Sequence, residues 1–139
     1  MKYVLDSSAA LPWVLPEKDS AKATRLRDDA RNGVHELLAR DIFPAEVFNA
    51  LLKAGRTRRI NVGEAKPLYA SIGADIPFLH PYPPLMARAG EIASGHRIAL
   101  YDCLYIALAE LESCEVVTAD KGIINLQMQF SFIVPLSAL

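Results

Sequence analysis

Four acidic residues of this chain, Asp6, Glu46, Asp102 and Asp120, stand where acids are able to do chemistry. Asp6 directly follows the apolar run Tyr3-Val4-Leu5, and Asp120 directly follows Val116-Val117-Thr118-Ala119. Asp102 opens Tyr101-Asp102-Cys103-Leu104-Tyr105-Ile106-Ala107-Leu108-Ala109, a segment so apolar that it must be largely buried. Glu46 lies just after Pro44, in the first turn of Ala45-Glu46-Val47-Phe48-Asn49-Ala50-Leu51-Leu52, and should point back toward that helix's N-terminus. Any one of them is explained as a helix-start acid, worth about 0.3–1 kcal/mol through free backbone N–H groups and the helix dipole. Four on one rim are not, because converging carboxylates repel and a buried unpaired charge is costly unless a cation neutralises it. All-oxygen ligation completed by water is magnesium or manganese chemistry. A metal held in this way activates water and stabilises the leaving oxygen of a phosphodiester.

No other catalytic set competes. His35, His80 and His96 are scattered without ligand spacing, and HExxH, GxSxG, P-loop and GxGxxG patterns are absent. A phosphatase built on a strand-end aspartate needs a second acid two residues on, where this chain has Ser8. A non-catalytic interaction domain that kept the fold is the other alternative; its sign would be a missing acid, and all four are present.

The elements that must position these residues follow from periodicity. Short apolar runs alternate with segments of helical period, with no repeat, linker or low-complexity tract, which predicts an α/β domain. Strands are expected at Lys2 to Leu5, Glu36 to Ala39, Ile76 to Leu79, Glu115 to Thr118 and Phe132 to Val134. Most are apolar on both sides, as suits a parallel sheet covered by helices on both faces. Helices are expected at Ser8 to Leu15, Ser20 to Arg31, Pro44 to Ala54, Val62 to Ile72, Pro84 to Ser94 and Leu100 to Leu111, with a short one after Asp120. In such sheets the functional crevice forms at the carboxyl ends of the strands, so Asp6 and Asp120 should emerge at one edge.

The length, 139 residues, fits one domain spanning 1–139. The start of the chain lacks the apolar segment and cleavage site of a secretory signal, and no stretch approaches membrane-spanning length. Cys103 and Cys114 form neither a CxxC pair nor a disulfide framework, and a reducing cytoplasm fits best. Net charge is −1, too little for broad electrostatic binding of nucleic acid. Its distribution says more: residues 18–66 hold eleven Lys or Arg against seven Asp or Glu, a local +4 facing a remainder of −5. The densest basic run there is Lys53, Arg56, Arg58 and Arg59.

Val4-Leu5-Asp6-Ser7-Ser8-Ala9, Ala45-Glu46-Val47-Phe48-Asn49-Ala50-Leu51, Tyr101 to Ala109 and Val117-Thr118-Ala119-Asp120-Lys121 resemble the successive blocks of PIN-domain ribonucleases. The likeness is greatest to the VapC-type toxins of toxin–antitoxin pairs, and it runs the length of the chain in the right order. It implies a three-layer α/β/α sandwich around a parallel sheet, a Mg²⁺-dependent endoribonuclease site (or one using Mn²⁺), and a homodimer. Asp6, Glu46, Asp102 and Asp120 match the family's four acids, as catalytic residues and metal ligands. Ser8 and Thr118 match hydroxyl positions that line the same pocket, to hold a carboxylate or a water. Asn49 lies three residues after Glu46 on the same helical face, placed either to orient that carboxylate or to be buried and satisfied by backbone. The apolar tail Gly122-Ile123-Ile124-Asn125-Leu126 departs from the pattern and leaves the local helix open. Lys53, Arg56, Arg58 and Arg59 are expected to hold the RNA backbone. The helices Pro44 to Ala54 and Val62 to Ile72, apolar on more than one face, are expected to receive the anchors of a cognate antitoxin that presents a cation to the acids.

Overall fold

A computed structural model describes residues 1–139. Five strands, β1 (Lys2–Leu5), β2 (Glu36–Arg40), β3 (Phe78–His80), β4 (Glu115–Thr118) and β5 (Ile133–Pro135), form one sheet in the order β3-β2-β1-β4-β5. Every neighbouring pair is parallel. The helices are α1 (Ser7–Ala10), α2 (Ser20–Arg31), α3 (Phe43–Arg56), α4 (Ala65–Ile72), α5 (Met86–His96), α6 (Leu100–Leu111) and α7 (Lys121–Ile124). They flank the sheet to make a three-layer α/β/α sandwich.

The central strands show why alternation is absent from the sequence. Val4 and Leu5 of β1 and Val116 and Val117 of β4 are all fully buried, because neither face of the sheet meets water. α6 lies across β1, β2 and β4 and is buried continuously from Cys103 to Ala109. α5 packs against it antiparallel, with Arg88 near the start of α5 donating to Glu110 near the end of α6 at 2.6 Å. That pairing carries the first turn of α6, and with it Asp102, to the carboxyl edge of the sheet. The chain proceeds outward from β1 to β2 and β3, then crosses back to β4 and β5 on the other side. The strand order therefore reverses between β1 and β4, where crevices open in such sheets.

Most departures from the expected bounds trace to prolines. The helix expected over Ser8 to Leu15 is split into the four-residue α1 and a 3₁₀ turn at Leu11–Trp13, because Pro12 has no N–H to continue an α-helical ladder. α4 begins at Ala65 instead of Val62; Pro67 is tolerated only in a first turn, which fixes the start. Pro83 and Pro84 lie in a 3₁₀ turn at Pro83–Leu85, so α5 starts at Met86 and runs on to His96. β3 begins after Pro77, at Phe78. The apolar tail after Asp120 forms α7, and its Ile123 and Leu126 are buried in the core, which accounts for its composition.

Candidate active site

Three adjacent strands, β2, β1 and β4, deliver residues to one edge. Asp6 follows β1 directly, is 4% exposed, and is still tied to the sheet by its N–H to the Val117 carbonyl at 3.1 Å. Two hydroxyls converge on its Oδ2, Ser8 Oγ at 2.5 Å and Thr118 Oγ1 at 2.9 Å. Both hydroxyls donate, since an ionised carboxylate only accepts. Each also accepts a backbone N–H, Ser8 Oγ from Ala119 at 2.9 Å and Thr118 Oγ1 from Asp120 at 3.0 Å. Burial pushes the Asp6 carboxyl above the usual range; the two hydroxyls oppose this, and Glu46 and Asp120 add to it.

Asp120 stands at the N-cap of α7, and its Oδ2 accepts from Ile123 N–H at 3.0 Å. It is the only one of the four acids whose carboxylate caps its own helix. Gly122 lies against it: a Cβ there would come to 3.0 Å from Asp120 Oδ2.

The side chain of Asp102, in the first turn of α6, makes no hydrogen bond and no ion pair. Burial first, then the charges of Asp120, Asp6 and Glu46, push its carboxyl up to about 6, with Arg40 pulling the other way. Asp102 thus senses the charges of the other three acids.

Glu46 is differently placed. Arg40, the last residue of β2, donates from Nη2 to Glu46 Oε2 at 2.7 Å, and the Tyr105 hydroxyl donates to Oε1 at 2.5 Å. Arg40 is 2% exposed, and its guanidinium carbon lies 4.8 Å from the Tyr105 ring centroid and 5.6 Å from that of Tyr101. Burial pushes the Tyr105 hydroxyl well above its ordinary range, so it stays a donor. The rim therefore contains a cation of its own. Neither Arg40 nor Tyr105 stands out in the sequence. The available signals were an arginine closing the apolar Leu37-Leu38-Ala39 run and a tyrosine three residues after Asp102 on the same helical face.

Two sequence expectations need correction or relocation. Asn49 is exposed and makes no hydrogen bond to Glu46, so it is neither the carboxylate's partner nor a buried amide; Arg40 and Tyr105 take that role. Lys53, Arg56, Arg58 and Arg59 are all exposed, but they lie at and beyond the far end of α3. Ten residues of helix separate Glu46 from Arg56, roughly 15 Å along the axis. Arg59 is also paired with Glu17 at 3.1 Å. The structure unites the acids and does not bring the basic run to them.

A PIN domain pattern matches residues 3–127. The chain belongs to the PIN-domain family. This PIN domain is 31% identical over 123 residues to Ribonuclease VapC3 of Pyrobaculum aerophilum, covering 87% of this chain and 91% of that protein. Among solved structures, PAE2754 of Pyrobaculum aerophilum is similar with a TM-score of 0.69 at 21% identity, over 99% of this chain and 93% of the other. VapBC2 from Rickettsia felis, bound to a DNA fragment from their promoter, matches with a TM-score of 0.66 at 15% identity, over 97% of each chain. At those identities the two structures speak for the fold alone.

The donor set of this PIN domain suits a hard divalent cation. Asp102 is uncompensated, and Asp6 is held through Oδ2 alone, leaving Oδ1 without a protein partner. Asp120 likewise commits only Oδ2. These are oxygen ligands of the kind magnesium and manganese take. The side chains share the rim without forming a ready three-ligand cage.

Proposed function

We propose that this PIN domain, taken as the whole chain 1–139, is a divalent-cation-dependent endoribonuclease that hydrolyses RNA phosphodiester bonds and acts as the toxin of a toxin–antitoxin pair. The observation that carries this is the uncompensated Asp102 among Asp6, Asp120 and Glu46 at the switch point of the sheet, with its carboxyl pushed up to about 6 by burial and by those charges. The name of the 31%-identical relative, Ribonuclease VapC3, supports RNA as the substrate. Asp6, Asp102 and Asp120, with Glu46 beside them, would hold the ion, Mg²⁺ or Mn²⁺. When bound, such an ion lowers the pKa of water and stabilises charge on a departing phosphodiester oxygen.

The chain's own contribution is positioning. Ser8 and Thr118 fix Asp6 and, through Ala119 and Asp120 N–H, tie it to the turn that bears Asp120. Arg40 and Tyr105 fix Glu46. Lys53, Arg56, Arg58 and Arg59 would meet the backbone of a longer RNA several nucleotides from the cut. A hollow lined by Pro44, Ala45, Phe48, Lys66 and Tyr69 on α3 and α4 is where an antitoxin would seat apolar anchors. A homodimer and a cytoplasmic location belong to the same reading.

The test compares an RNA with DNA of the same sequence, each incubated with purified protein in Mg²⁺ or EDTA. RNA cut only in Mg²⁺, and inhibition by the co-purified antitoxin, are expected. Cleavage that persists in EDTA, or none on any RNA, overturns the proposal.

A further inference from the structure

We propose that Arg40 is a positioning residue that withdraws Glu46 from the cation site, so that the three aspartates alone grip the ion and the buried ion pair sets how tightly they do so. This rests on the cation-dependent reading above. Three observations carry it. Arg40 is 2% exposed, and it reaches Glu46 Oε2 at 2.7 Å. Tyr105 occupies the other oxygen, Oε1, at 2.5 Å, so both oxygens of Glu46 already have a donor whereas Asp102 has none. The guanidinium is enclosed by the Tyr101 and Tyr105 rings at 5.6 and 4.8 Å, and its Nε is buried without a partner. A group so enclosed cannot reach the substrate, and its one strong interaction is with Glu46.

The consequence has an unusual sign. Glu46 is 28% exposed on its side chain and tolerates losing its partner, whereas Arg40 does not, because a buried charge left alone is strongly destabilising. Arg40→Met should therefore fold, free Glu46 for the ion and remove a positive charge, tightening divalent-cation binding. A residue of purely structural importance would lower the melting temperature and leave cation affinity unchanged or weaker. The double variant Arg40→Met/Glu46→Gln removes both members of a neutral pair and should bind as the parent does.

The experiment is titration of Mn²⁺ into the full chain, followed by calorimetry and by melting temperature, with RNA cleavage measured separately. The expected Kd for Arg40→Met is lower by about tenfold or more, as removing a nearby unit charge dictates. Arg40→Lys and the double variant should stay within about threefold of the parent, and Asp102→Asn should lose at least about tenfold. Unchanged or weakened binding by Arg40→Met overturns the proposal. So does a double variant that binds at least about tenfold more weakly than the parent, for then Glu46 is a ligand; this comparison holds even if Arg40→Met does not fold. A parent that binds Mn²⁺ and cuts no RNA overturns the nuclease reading alone, and a parent that binds no Mn²⁺ overturns this proposal.

Discussion

Without a cation and at neutral pH, Asp102 is ionised beside three other acids and has no donor of its own. Its carboxyl is raised to about 6, above the value of 3.8 usual for aspartate, so the folded protein binds a proton there more tightly than the unfolded chain. The folded state is then penalised as pH rises from about 4 to about 6, and the full cost persists above that. Asp102→Asn should melt at or above the parent temperature in EDTA at pH 7.5, with the gap closing below pH 4, where both side chains are neutral. Thermal melting across that range checks it; a variant that melts clearly lower at pH 7.5 would make Asp102 a helix-start acid and nothing more. Gly122 yields a second expectation. Alanine there adds a Cβ 3.0 Å from Asp120 Oδ2, so the carboxylate must give by a few tenths of an ångström. The helix gains about 0.5–1 kcal/mol from losing a glycine and its cap is weakened, so melting should barely move. Cleavage should fall by about 10- to 100-fold, because a misplaced catalytic group is costly. Steady-state kinetics beside a melting curve separates the two effects. The acids were legible in the sequence because each follows or opens an apolar segment that has no use for one. Arg40 was not, since an arginine closing a short strand looks the same whether it ends in water or beneath two tyrosines.

Among the elements, Ser20–Arg31 and Leu100–Leu111 have the bounds that their periodicity predicts, as do the strands Lys2–Leu5 and Glu115–Thr118. Each is long or strongly apolar enough for the pattern to dominate. Among the elements that shifted, α1, α4, α5 and β3 border prolines, where one missing N–H decides between an α turn and a 3₁₀ turn, whereas the long α3 runs one residue further at its start and two at its end. The basic run follows the helix that bears Glu46, and a helix of that length carries it away from the rim. Lys53→Ala/Arg56→Ala should accordingly raise KM and flatten its salt dependence on a long RNA while leaving kcat near the parent value. On an oligonucleotide too short to span roughly 10 Å from the cut the same double variant should behave as the parent. A fall in kcat on both substrates would mean that these residues act at the acids after all. Arg59 is a poorer choice for the experiment, because its pairing with Glu17 mixes stability with binding.

For the molecule as a whole, the parallel order β3-β2-β1-β4-β5 does what separate stretches of sequence cannot show: it sets the ends of β2, β1 and β4 side by side. Residues 6, 40 and 120 become neighbours through that order, and the antiparallel pairing of α5 with α6 returns Asp102 to the same edge. The architecture was legible from alternating short apolar runs and helical periods, since two-sided burial leaves few alternatives to a covered parallel sheet. The order of the strands has no such local signature and came only with the structure. Family membership and fold agree with a nuclease. What remains to be measured is whether the chemistry resides at the acids. Parent and Asp102→Asn proteins, both shown to be folded, should be given the same end-labelled RNA at the same saturating Mg²⁺, and single-turnover cleavage followed. The expected result is EDTA-sensitive cutting by the parent and a rate lower by about two to three orders of magnitude for the variant, in keeping with loss of a group that organises transition-state charge. Equal rates for the two proteins would contradict the assignment of cleavage to this rim.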